Sequence, residues 1–61
     1  MDVGSSLVAV LRDIDRLVGL ALVAARLVVE GEYGRAAGLA DEIVRVAERV
    51  ARGLRSLGSS T

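Results

Sequence analysis

From Leu7 to Glu30 the chain contains no proline and one glycine, Gly19, while apolar side chains return every three or four positions. Leu7, Val10/Leu11, Ile14, Leu17/Val18, Ala21, Ala24/Ala25 and Val28 thus mark one face of a helix. β-Branched residues are plentiful and favour extended chain slightly, but strict alternation is nowhere sustained. Gly31-Glu32-Tyr33-Gly34 interrupts the pattern, and Gly31 suits the left-handed position that ends a helix. A second periodic run follows, with Ala36/Ala37, Ala40, Ile43/Val44, Ala47, Val50/Ala51, Leu54 and Leu57 as its stripe. Ser5 or Ser6 is a ready N-cap and Gly58 a ready stop. The spacing therefore predicts helices over about 6–30 and 33–57, with residues 1–5 and 58–61 as short flexible termini of a single domain. Two helices of near-equal length across so short a connection fold back antiparallel.

The first helix carries more apolar surface than one partner can cover. Leu20, Leu22, Val23, Leu27 and Val29 lie largely off its first stripe, so from Leu17 onward it is apolar almost all round. A chain of 61 residues has little core of its own, and the usual reinforcements are disulfides, a metal or oligomerisation. With no Cys and no His, disulfides and the commonest metal sites are absent, and self-association is what remains. The expected fold is all-α: an antiparallel two-helix hairpin that pairs with a second copy into a dimeric four-helix bundle. Leu17, Leu20, Val23, Leu27, Ala21, Ala25 and Gly38 are its expected interface. Gly38 is included because a mid-helix glycine among many alanines suggests close approach of a neighbour. Gly53, off the main stripe, is expected to be open.

Charge narrows the functional classes. Eight acidic and eight basic residues cancel, and every base is Arg. Nucleic-acid binders usually carry a basic excess. Arg45, Arg49, Arg52 and Arg55 share one broad face of the second helix and could contact an anion or nucleic acid, but Asp41, Glu42 and Glu48 lie on or beside it. Asp41–Arg45, Glu48–Arg52 and Arg26–Glu30 have the spacing of helix-stabilising ion pairs. Asp13 and Asp15, two apart on a helix, diverge and read as charged surface beside Arg12 and Arg16. Tyr33, the single aromatic, is expected to pack over the end of the helix pair. No Ser has a His to activate it, Lys and Cys are absent, and the glycines lack phosphate-cradling spacing. The expectation is no enzyme, no cofactor, no metal and no small-molecule ligand.

Mean hydropathy is +0.50, high for a soluble chain. The longest apolar run, Leu17 to Ala25, is nonetheless half of the ~18 residues that cross a bilayer. A soluble, cytoplasmic chain without a membrane partner is expected. The lack of Asn, Gln and Cys fits a heat-adapted protein, a GC-rich genome or a designed, reduced alphabet.

Gly31-x-Tyr33-x-x-Ala36-x-x-x-Ala40, continuing to Ala47-Glu48 and Leu54, resembles the helix junction of tetratricopeptide-like hairpins and is similar to the central hairpin of HEPN domains. The resemblance spans residues 24–54 and implies a close-packed helical hairpin. A tetratricopeptide array would imply several repeats around a peptide groove, and one unit is present. HEPN ribonuclease activity requires an Arg-x-x-x-x-His signature, which a chain without His lacks. The function expected is a self-associating structural or interaction module; a small dimeric nucleic-acid-binding or regulatory module using the arginine face is the alternative.

Overall fold

The computed structural model describes residues 3–59, which form two α-helices, α1 (Val3–Val29) and α2 (Tyr33–Ser59), and no strands. The expectations for residues 1–2 and 60–61 fall outside the described residues. The two helices lie against each other as an antiparallel hairpin 45 × 14 × 12 Å in extent. Each is 27 residues long, about 40 Å at the α-helical rise.

The connection is built from hydrogen bonds the sequence could anticipate. Gly31 has φ +78°, and its N–H donates to the carbonyl of Val28 while that of Glu32 donates to the carbonyl of Leu27. This pair of bonds with a left-handed glycine is the Schellman termination, which satisfies two of the last carbonyls of α1. The carbonyl of Glu32 then accepts from Ala36 N–H, so Glu32 is the residue from which α2 begins. The outer ends depart from expectation. Ser5 and Ser6 lie inside α1, which starts at Val3, so neither caps it. Gly58 is inside α2, which continues to Ser59, so it is no stop. Residues 3–5 and 58–59 are helical rather than loose.

Burial follows a strict alternation of three and four. On α1 the buried or half-buried positions are Ser6, Val10, Asp13, Leu17, Leu20, Ala24 and Leu27. On α2 they are Ala36, Leu39, Ile43, Val46, Val50, Gly53 and Leu57, together with Glu42 and Ala51 beside that line. This is the seam of a two-stranded coiled coil, with a mean period of 3.5 residues. Its register is fixed by Val10, whose Cγ2 would lie 2.5 Å from a Cβ placed on Gly53. Stepping along the three-and-four alternation from that contact sets Leu17 level with Val46, Leu20 with Ile43, and Leu27 with Ala36.

The seam is not where the sequence pattern centres. The stripe read from sequence splits down the middle: Val10, Leu17, Ala24, Ala36, Ile43, Val50 and Leu57 turn inward, while the rest of it is largely left outside. The inner line is completed by Leu20, Leu27, Leu39 and Val46. Asp13, read as surface, occupies a seam position with its side chain 26% exposed. The close approach is likewise relocated. Nothing comes within 4 Å of a Cβ on Gly34 or Gly38, whereas Gly53, expected open, is the glycine against which the other helix rests.

The resulting core is thin. Among the described residues Val10, Leu27, Ala36 and Val46 are the buried hydrophobic ones, and only Val46 is fully enclosed. The accessible surface is 4458 Å², against about 3,800 Å² for a compact monomer of 6.4 kDa. The radius of gyration is 14.1 Å, against roughly 10.5 Å for a compact domain of this length.

Candidate interaction surfaces

Two lateral faces flank the seam, and antiparallel geometry makes them different in kind. Seen from one end, the two helices wind in opposite senses. A step of one residue backward from the seam, about 100°, therefore carries both helices to the same side of the hairpin, and a step forward carries both to the other.

The backward side is ionic. Arg16 and Glu42 meet across the helices at 3.1 Å, and Arg49 reaches Asp13 at 3.3 Å. Glu42 also accepts from Arg45 at 2.9 Å. The guanidinium of Arg45 and then that of Arg16 hold the Glu42 carboxyl below its ordinary value, since both stabilise its charged form. The four bridging side chains of these cross-helix pairs are 26–57% exposed, so they set register and orientation more than they add stability. Arg35 pairs with Glu32 at the turn. The expected pairs Asp41–Arg45, Glu48–Arg52 and Arg26–Glu30 do not form; Arg45 turns back three residues to Glu42 instead. Toward the open end, the small residues Ser6, Gly53 and Ser56 leave a groove of ≈ 330 Å³ beside Asp13, Arg49 and Arg52. Its arginines are exposed and one of them is neutralised by Asp13.

The forward side is apolar along its whole length. From α1 it presents Leu7, Leu11, Ile14, Val18, Ala21, Ala25 and Val28, and from α2 Tyr33, Ala37, Ala40, Val44, Ala47, Ala51 and Leu54. No Asp, Glu or Arg interrupts either line. Leu11, Val18, Val44 and Leu54 are each 51–56% exposed, and Ile14 is 38% exposed. Tyr33 is 69% exposed, so its ring does not pack over the helix ends as expected; it borders this face at the turn.

The residues singled out in the sequence fall on different surfaces. Leu17, Leu20 and Leu27 lie in the seam, where α2 covers them; Leu27 is 6% exposed. Ala21 and Ala25 lie on the apolar face. Val23 is half exposed and sits on the ionic side beside Arg16 and Arg26, with Leu22 next to it. Gly38 is on the side of Arg45 and Arg52, away from the apolar face. Among Arg45, Arg49, Arg52 and Arg55, the first two are committed to carboxylates, and the other two make no ion pair among the described residues. Leu7, Leu11, Val44 and Leu54 were legible only as part of a stripe expected to be internal.

Among the described residues no group of three or more His, Cys, Asp or Glu is placed to hold a metal ion, and no helix is long and apolar enough to cross a membrane. No protein-family model, curated protein or solved structure matches the chain.

Proposed function

We propose that this chain is a non-enzymatic association module: a helical hairpin whose task is performed by its exposed apolar face, as a structural, oligomerising or protein-interaction element. The observation that carries this reading is the continuity of that face. Leu7, Leu11, Ile14, Val18, Val28, Val44 and Leu54 are each 38–56% exposed on one side of the molecule. Full burial of such a side chain is worth about 1.5–3 kcal/mol, so roughly half of that is left uncaptured at each. Together they forgo on the order of 5–10 kcal/mol, which is the size of a whole domain's stability. A face of this kind on a thin hairpin is a contact surface, and covering it completes the fold.

The nucleic-acid reading has less behind it. Arg45 and Arg49 are neutralised by Glu42 and Asp13, acidic groups are interspersed on the same side, and formal net charge is zero. Association is tested by sedimentation equilibrium across a dilution series, with thermal unfolding at each concentration. The midpoint should rise with protein concentration, because folding and association are linked. A stable hairpin that stays monomeric, with a concentration-independent midpoint, would overturn the proposal.

A further inference from the structure

We infer that the occupant of the apolar face is a second copy of the chain, docked face to face and turned end for end, so that the open end of one hairpin covers the turn end of the other. This rests on the association proposed above and adds its geometry.

The first argument is the relief of the face. Near the open end it carries Leu7, Leu11 and Leu54; toward the turn it flattens to Ala21, Ala25, Ala37 and Ala40, with Val28 and Tyr33 beyond them at the turn itself. The Val10–Gly53 contact sets residue 16 of α1 level with residue 47 of α2. A two-fold axis across the face at that level reverses the hairpin onto itself. Leu7 of one copy then falls on the partner's Ala25, Leu11 on the partner's Ala21, Ile14 on the partner's Val18, and Leu54 on the partner's Ala40. The leucines near the ends thus meet alanines, as close packing without voids requires, while Ile14 and Val18 meet near the axis. The alternative, with both open ends together, lays α1 on the partner's α2. It stacks the leucines on one another at the open end and faces Ala21 and Ala25 with the partner's Ala40 and Ala37 before the turn, leaving a gap there.

Charge and area agree with the reversed arrangement. Asp41 and Arg55 lie on the outer edge of α2, and neither makes an ion pair among the described residues. End-for-end docking brings each beside the partner's other member, twice per dimer. Like charges do not separate the two arrangements, because Glu48 falls level with the partner's Asp15 in same-end docking and Glu48 and Asp15 each fall beside their own copies in the reversed one. A face about 45 by 14 Å covers roughly 600 Å² of projected area per copy, so the pair buries at least about 1,200 Å². That reaches the range of stable protein–protein interfaces. The contact is also isologous, so it closes at two copies without leaving a sticky end.

The test uses the full chain, which has no Cys to interfere with labelling. Spin labels on Ser59→Cys should lie on the order of 35–40 Å apart in the dimer, because each is about 18 Å from the axis level. Labels on Glu48→Cys, near the axis on one outer edge, should lie within about 20 Å. In parallel, Leu11→Ala and Ala21→Leu should each weaken dimerisation roughly tenfold or more. Both together in one chain should restore it, since residue 11 meets the partner's residue 21. A dimer with short Ser59 and long Glu48 distances, or a double variant no tighter than the single ones, would overturn the reversed arrangement while leaving association intact. A monomer at all concentrations would overturn both.

Discussion

Gly53→Ala offers a sharp test of the seam. A Cβ at this position would lie 2.5 Å from Val10 Cγ2, well inside van der Waals contact. Val10 cannot readily yield: it is 6% exposed, and a β-branched side chain in a helix has one dominant rotamer. Replacing a mid-helix glycine by alanine gains about 1 kcal/mol of helix propensity. Overpacking a close contact costs about 1–3 kcal/mol. The net change expected at Gly53 is therefore a loss of up to about 2 kcal/mol. Gly38 supplies the control, being helical and glycine but with nothing within 4 Å of its Cβ position. There the propensity gain stands alone, and Gly38→Ala should stabilise by about 1 kcal/mol. The two variants share the propensity term, so their difference isolates the clash at roughly 1–3 kcal/mol. For a domain of this size that separates their thermal midpoints by about 5–20 °C. Far-UV circular dichroism melts at one fixed protein concentration measure it, since association shifts the midpoint. Adding Val10→Ala removes the obstructing methyl, and in that background Gly53→Ala should become as favourable as Gly38→Ala. If Gly53→Ala raises the midpoint as much as Gly38→Ala with Val10 in place, the register of the seam is wrong.

Leu27→Ala, at a 6%-exposed seam position, should cost about 2–4 kcal/mol by leaving a cavity against Ala36, read by chemical denaturation. Leu11→Glu should abolish the proposed association, whereas Leu22→Glu, at a 68%-exposed position off the apolar face, should leave the mass unchanged; sedimentation compares them, and equal behaviour of the two would remove the case for that face. The folded-state pKa of Glu42 is depressed, so its ion pairs contribute fully above its ordinary value of 4.5 and are lost as pH falls through the lower folded value. Glu42→Gln should therefore flatten the acid side of the stability–pH curve below about pH 4.5 and leave the shape near neutrality unchanged.

Much of this architecture was written locally in the chain. Helical spacing over Leu7–Glu30 and again beyond Tyr33 determined two helices, and Gly31 determined where the first ends, because a left-handed residue whose own N–H and the next one turn back to the helix is a local device. The surplus of apolar surface on α1 was also legible, since it needs only a wheel of its own residues. The sequence could not say which part of that surplus the partner helix covers. The apolar arc of α1 is wider than one helix contact, so its centre, near Leu11 and Val18, is no guide to the seam. The choice was made by pairs far apart in the chain. Arg16 with Glu42 and Asp13 with Arg49 draw the seam toward the ionic side, and the missing side chain of Gly53 lets Val10 in. That shift moves Leu20 and Leu27 inward and leaves Leu7, Leu11, Val18 and Leu54 outside. The helix ends were misread for the complementary reason: Ser6 and Gly58 look like punctuation locally, but Ser6 and Leu57 are held in the seam by the opposite helix, and tertiary packing outweighs cap preferences of about 1 kcal/mol. Local periodicity settles what each helix is; only contact between the helices settles which of its faces is spent on the other.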